Sequence, residues 1–302
     1  MVLIKRRSSG NRKIGKLVTS VSPYLYIIPS VLLVSIFLLY PVVFTIYISF
    51  TKWNIISAPA FVGLSQYVGL FRESALLNSF RNTLIWTGAT LLIPIPLSLL
   101  LAVGMYRVAG REVFKVAFFL PRVMAPAAIA VIWKFIYSAP RGILNEVLGL
   151  FGAKFLMHSW LLEPPLNTFA MIGTATWASI GWMMVMFLIG LDTIPSEVLE
   201  AGKLDGASER QLLWHVKLPL LKPMTSVVVV MGVIASFTMF DLIWVMTGGG
   251  PFRSSETLAV TIYRGGFVLF KMGYSAAIAV VLSAIVLVFS MIYLRRIFRH
   301  SL

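Results

Sequence analysis

Cysteine is absent from this 302-residue chain, histidine occurs three times, and Asp and Glu together number 11. The first absence excludes disulfides, thiolate nucleophiles and Cys-ligated metal centres. The second leaves little for metal chemistry, because His158, His215 and His300 are scattered without the helical pairing a metal site uses. Charged residues make up only 12% of the chain, against about a quarter in an average soluble domain. That is too few to cover a water-facing surface. No serine nucleophile elbow or paired-carboxylate motif occurs, so the chain reads as non-catalytic. A phosphate-binding loop needs a Gly-rich turn ending in Lys and Ser/Thr. Gly10-Asn-Arg-Lys-Ile-Gly15-Lys16 comes close, but Leu17 stands where the hydroxyl is needed and no strand precedes it.

What the chain has instead is apolar length. It is 59% hydrophobic, with a mean hydropathy of +0.89. About 20 apolar residues carry a helix across the hydrocarbon core of a bilayer. Six segments qualify, at about Tyr24–Phe50, Ser79–Tyr106, Val113–Tyr137, Asn167–Leu191, Met224–Thr247 and Tyr274–Leu294. The expected fold is therefore all-α, a polytopic membrane protein with six transmembrane helices. A basic tail over residues 1–22 would precede one membrane domain over 23–302. The tail resembles the front of a signal peptide, but the apolar run after it is too long and lacks a small-residue cleavage site. It reads as a retained span.

The net charge of +15 fits loop placement better than nucleic-acid binding, since Lys and Arg accumulate in cytoplasmic loops. With the N-terminus inside, sixteen basic residues fall in the tail, the 2–3 loop, the 4–5 loop and the C-terminal end. Nine fall outside or near the outer ends, and Arg122 lies within a span. The bias predicts both termini in the cytoplasm.

The most informative stretch is the loop over 192–223, which joins spans 4 and 5. Pro195 and Ser196 suit a helix start, and Glu197 and Glu200 favour the positive end of that helix. Asp205-Gly206 is a turn pair. Ser208 with Gln211 has the spacing of a capping box for a second short helix. Leu212, Leu213 and Val216 give it an apolar side, and Pro219 and Pro223 hinder a smooth run into span 5. A helix–turn–helix is predicted, which an ordinary amphipathic loop on lipid headgroups could also be.

Glu200-Ala201, Asp205-Gly206-Ala207, Leu218-Pro219 and Pro223 resemble the EAA signature of ABC importer permeases. Gly202 replaces the second alanine of that pattern and Leu213 its usual phenylalanine. The resemblance implies that Glu200, Ala201, Asp205, Gly206, Ala207, Leu213 and Pro219 form a coupling element seated in a cleft of an ATPase subunit. Phe240-Asp241 through Thr247-Gly-Gly-Gly-Pro251, with Thr257-Leu258 and Tyr263-Arg264, is similar to the carbohydrate branch of the family. That branch includes the maltose, glycerol-3-phosphate and multiple-sugar permeases. It implies a multi-pass inner-membrane subunit with a second homologous permease, two ATPase subunits and an extracytoplasmic solute-binding protein as partners. This chain would bind no cofactor, ATP and Mg being held by the ATPases.

Polar and aromatic side chains within spans are the candidates for the substrate pathway. Asp241, expected inside span 5, would cost about 2.5–3.5 kcal/mol unpaired at the bilayer centre. It should pair structurally or touch substrate. Arg122, between Pro121 and Pro126, could line the pathway, snorkel or pair with Asp241. Trp182 and Trp244 could stack on sugar rings or serve as packing. Nine outer basic residues face four acids, Glu73, Glu146, Glu163 and Glu256. That surplus suits an acidic oligosaccharide or docking of the binding protein. Rival functions are an ion-coupled secondary transporter with Asp241 as coupling carboxylate, a membrane transferase, and an importer of a non-sugar solute.

Overall fold

The structure, a computed structural model, describes residues 26–106 and 108–298. The basic tail over 1–22, the expected first span's residues before 26, Arg107 and Arg299 lie outside the described residues, as does the near-match to a phosphate loop. In chain order, α1 (Tyr26–Ser49) ends in a small hairpin, where β1 (Thr51–Lys52) pairs antiparallel with β2 (Ala60–Phe61). The short α2 (Ser65–Leu70) leads to α3 (Ser74–Met105). Next come α4 (Arg111–Val123), α5 (Pro126–Ile136) and α6 (Ile143–Leu150), then the long α7 (Leu166–Asp192). A loop carrying α8 (Ser196–Leu204) and α9 (Glu209–Leu212) follows. The chain finishes with α10 (Lys222–Phe237), α11 (Asp241–Thr247), α12 (Leu258–Tyr263) and α13 (Met272–Phe298).

Length explains the architecture. The 27 residues of α7 rise about 40 Å at roughly 1.5 Å each, enough to cross a hydrocarbon core of about 30 Å. Among the described residues, five stretches are long and apolar enough to span: α1, α3, α7, α10 with α11, and Met272–Tyr293 of α13. The third expected span is not straight. It is the pair α4 and α5, bent by 96°. Pro121 lies inside α4 and Pro126 opens α5, and between them Met124 and Ala125 are extended. The residue before a proline is pushed out of the helical region, which fixes the break at Ala125. The second span starts at Ser74, five residues before Ser79. The short apolar helix Leu258–Val268, which is α12 with the π turn after it, occupies a region read from the sequence as loop.

Close packing holds the bundle. Between helices in lipid there is no water to expel, so association depends on contact and on small residues that let backbones approach. Gly181 of α7 is such a residue, because a side chain there would overlap the Phe118 carbonyl of α4. One apolar cluster, with Trp86, Met171 and Ile243, joins α3, α7 and α11. Another, with Ala102, Phe187, Leu191, Leu199 and Leu221, binds the loop helix α8 to α3, α7 and the chain entering α10. A third packs α13 against α10 through Val233, Phe237, Ala277 and Ile278.

The bundle has two distinct ends. At the loop end meet the C-terminus of α3, the start of α4, the C-terminus of α7 and the α8–α9 loop. At the opposite end, Asn78 and Asn82 of α3 and Asn167 of α7 reach the loop between α11 and α12.

Candidate functional site

The loop between α7 and α10 folds as two short helices, each held by local bonds. Glu197 lies in the first turn of α8, where the helix dipole favours an acid. Ser196, however, is the first helical residue and caps nothing; Pro195 occupies the cap position without a side-chain bond. The exit from α8 is tight. Gly206 adopts φ +81°, its N–H bonds the Lys203 carbonyl at 3.0 Å, and the Ala207 N–H bonds the Gly202 carbonyl at 2.9 Å. Positive φ is the reason glycine follows Asp205 there. Ser208 then forms the full capping box with Gln211.

Gly202 has a packing role. A Cβ at this position would stand 2.6 Å from Leu212 Cδ2, so its absence lets buried Leu212 of α9 lie against α8. After α9 the helix does not stop. It passes through a wide π turn, Leu213–Lys217, and a short α turn, Leu218–Leu220, before a break at Leu221. Pro219 has no N–H to give an α-helical bond, and the change of helix register accommodates it. Of the sequence candidates, Glu200, Ala201, Asp205, Gly206 and Pro219 are exposed, while Ala207 and Leu213 are half-buried. All seven belong to one projecting unit.

The second candidate region is a cavity of about 690 Å³ bounded by α3, α4, α5, α7, α10 and α11. Both helix interruptions open onto it: Met124 and Pro126 from one, Thr238, Met239 and Phe240 from the other. Non-helical backbone at membrane depth persists where it is buried in protein or lines a cavity. Asp241 lies within the fifth expected span, which is broken rather than one continuous helix. It is the first residue of α11, after a break at Phe240 with φ −129° and ψ −63°. Arg122 sits in the last turn of α4, where its charge suits the helix dipole. Its guanidinium lies 5.8 Å from the centre of the Trp182 ring, a cation–π contact. Arg122, Asp241, Trp182 and Met186 all line this cavity. Among the described ion pairs, none joins Arg122 to Asp241. Trp86 also lines the cavity, and its buried Nε1 has no hydrogen-bond partner among the described residues.

Trp244 is elsewhere. It lines a separate cavity of about 560 Å³ with Lys134 and Tyr137, further along α5 and α11. Its ring packs against Phe240 and Tyr263 and lies 5.4 Å from Arg264 Cζ. Aromatic and cation–π neighbours hold the ring at the wall of this second cavity.

One buried cluster escaped the sequence reading, which counted Glu256 only as a loop charge. Glu256 is 0% exposed. Its carboxylate accepts two bonds from Arg253 at 2.8 Å, one from Arg264 at 3.1 Å and one from Thr261 at 2.9 Å. Arg264 also donates to the Gly248 carbonyl. Asn82 bonds the carbonyls of Ser254 and Glu256, while Asn167 bonds Gly250 and Ser254. The loop over 248–257 is thus fastened to α3, α7 and α12. Arg253 has φ +61°, a strained backbone for a non-glycine residue, and its paired bond to Glu256 keeps it there. Glu256 holds Arg253 firmly protonated, its pKa above the ordinary guanidinium value. The Arg253–Glu256 spacing hinted at a local pair, but nothing in the sequence placed that pair in the interior.

Comparison with known proteins assigns the architecture. The arabinooligosaccharides transport system permease protein AraP of Bacillus subtilis is 33% identical over 278 residues, covering 91% of this chain and 88% of its own. The sn-glycerol-3-phosphate transport system permease protein UgpA of Agrobacterium fabrum is 32% identical over 268 residues, 88% of this chain and 90% of its own. In fold, the chain matches a subunit of a bacterial ABC transporter that imports the acidic polysaccharide alginate. That match has a TM-score of 0.83 at 21% identity and covers 95% of this chain and 99% of the other. Residues 94–302, which contain the α8–α9 loop, the larger cavity's α4, α5, α7, α10 and α11 and the Glu256 cluster, match the model of the binding-protein-dependent transport system inner membrane component. The chain belongs to that family of ABC transporter permeases.

Proposed function

We propose that this chain is one permease of an ATP-driven importer that passes a sugar or oligosaccharide from an extracytoplasmic binding protein into the cytoplasm. On this reading the bent pair α4–α5 counts as the sixth crossing, and both termini and the α8–α9 loop face the cytosol. The exposed, doubly fastened α8–α9 unit carries the proposal. A stiff element can pass on a rigid-body displacement that a loose loop would absorb. A second, homologous permease would complete the channel, two ATPase subunits holding ATP and Mg would take the two coupling loops, and the cavity with Arg122, Asp241 and Trp182 would be this chain's share of the pathway. The chain itself catalyses nothing.

The sugar branch is supported by relatives named for arabinooligosaccharide and glycerol-3-phosphate transport. An alginate importer of this fold was solved with its pentasaccharide-bound periplasmic protein, which supports a binding protein as partner. The surplus of basic residues at the proposed outer end suits an anionic saccharide, although the larger cavity contributes one Arg and one Asp and so no net charge of its own.

The test is Glu200→Lys in the complete transporter reconstituted in proteoliposomes. The residue is exposed and unbonded locally, so stability should change by less than about 0.5 kcal/mol, while ATPase association and uptake should both be lost. Retained association would overturn the docking assignment. Uptake of neutral and anionic oligosaccharides of equal length, compared in the native transporter, decides the charge of the substrate. Equal rates would remove the acidic reading.

A further inference from the structure

At the loop end, three chain segments converge on a single aromatic side chain. Tyr106 follows the last turn of α3, and its hydroxyl donates to the Leu191 carbonyl at the end of α7, 3.3 Å away. Arg111, at the start of α4, donates to the Tyr106 carbonyl at 3.3 Å and meets Asp192 at 3.4 Å. Its guanidinium carbon is 6.0 Å from the Tyr106 ring centre, and so is the ammonium of Lys217. The ring therefore has two cations near it, one from the bundle and one from the loop.

Lys217 is the unusual member. Its side chain is only 7% exposed, and lysine is almost never buried without a partner. The ammonium lies 3.5 Å from Glu209 of α9, which in turn lies 3.5 Å from Lys203 of α8. A desolvated ammonium gains from an aromatic face and a carboxylate together. Beneath this polar chain, Tyr106, Leu191, Ile194, Leu199, Val216 and Leu221 pack in one apolar cluster. Lys203, Glu209, Lys217 and Tyr106 thus form a continuous contact path from α8 to the ends of α3, α4 and α7. A displacement of α8 that carries α9 with it, through the Gly202–Leu212 contact, cannot leave Lys217 behind without separating a buried charge from Glu209 or from Tyr106.

We propose that Lys217 and Tyr106 are positioning residues that form the joint through which movement of the α8–α9 loop reaches the membrane helices. This rests on the reading of the loop as the ATPase-docking element. The roles differ: Glu200 and its neighbours would hold the ATPase, whereas Lys217 and Tyr106 would transmit what it does.

The experiment uses the full transporter in lipid nanodiscs with Mg-ATP and its purified binding protein. Three quantities are read: ATPase subunits retained on purification, basal ATP hydrolysis, and the stimulation of hydrolysis by the binding protein. Lys217→Met and Tyr106→Leu should keep the ATPases bound and hydrolysis running, with stimulation reduced about three- to tenfold, the range expected when one contact in a coupling network is removed. Lys217→Arg, which retains the cation, should restore at least half of it. Tyr106→Phe, which keeps the ring and loses only the bond to Leu191, should fall between native and Tyr106→Leu. Full stimulation in both Lys217→Met and Tyr106→Leu would overturn the joint. Loss of the ATPases from Lys217→Met would also overturn it, by assigning the residue to docking or folding. ATPases that stay bound to Glu200→Lys would instead overturn the docking reading beneath it, so the two failures are distinguishable.

Discussion

The loops at the two ends of the molecule are both ordered, but by opposite means. The α8–α9 loop is held largely by bonds between residues a few positions apart: Ser208 with Gln211, Gly206 with Lys203, Ala207 with Gly202. The loop over 248–257 is tied in addition across the chain, with Asn82 bonding Ser254 and Glu256 from more than 170 positions away and Asn167 bonding Gly250, around a buried carboxylate whose arginines lie three and eight positions from it. The first kind of order survives while the whole element moves, because its bonds travel with it. The second fixes a loop to the body of the bundle. On the proposed reading, a unit that transmits displacement and a clamp that resists it need these two constructions.

The largest expected effect tests the clamp. Glu256→Gln keeps the shape but leaves Arg264 without a carboxylate and Arg253 with only Glu73, 3.8 Å away. Breaking a buried ion pair costs about 3–5 kcal/mol, and partial exposure of both arginines lowers this to roughly 2–3 kcal/mol. The thermal midpoint in detergent should fall, with hydrogen exchange rising together in the 248–257 loop and in the α3 and α12 segments that touch it. Exchange confined to the loop itself would show that the two ends are built alike.

A smaller effect tests the other side. Ser208→Ala removes the capping box of α9 and should cost about 1 kcal/mol. Exchange should rise at Glu209–Leu212 and leave α3, α7 and the 248–257 loop as they were. Spread of the effect into the membrane helices would mean that the loop is not a self-contained unit.

The same division decides what the sequence disclosed. The capping box, the Asp205–Gly206 turn and the proline break in the third span were legible because their causes lie within a few residues. Charge and apolar runs located the spans to within a few positions. Asp241 falls inside the fifth expected span, but hydropathy gave no sign of the helix break at Thr238–Phe240 just before it. Pro195 and Ser196 marked the start of α8, where Pro195 takes the cap position and Ser196 is the first helical residue. Glu256 and Lys217 were invisible as buried charges, since a lone Glu or Lys in a loop normally faces water and their partners become neighbours only after folding. Trp244 lines a second cavity, apart from Arg122, Asp241 and Trp182, because its neighbours Tyr263 and Arg264 come together only on folding.

The smallest effect separates the kind of bonding from the end of the molecule at which it occurs. The loop entering α7 lies at the same end as the Glu256 clamp but is bonded locally. The Glu163 carboxylate accepts from the Ser159 amide at 2.7 Å and lies 2.9 Å from His158 Nδ1. The Ser159 amide first, and His158 second, hold its pKa below the ordinary carboxylate range. A group whose pKa is lower folded than unfolded stabilises the fold above its unfolded value, and that contribution is lost as pH falls through the folded one. Acidification into and below the carboxylate range should therefore release the turn at His158–Glu163, raising exchange at the Ser159 amide. Glu163→Gln should show that raised exchange already at neutral pH and lose the pH dependence. If the long-range bonds alone order this end, the acid transition should leave the 248–257 loop protected. Simultaneous opening of both loops would mean that position at the membrane surface, rather than the range of the bonds, sets how each one yields.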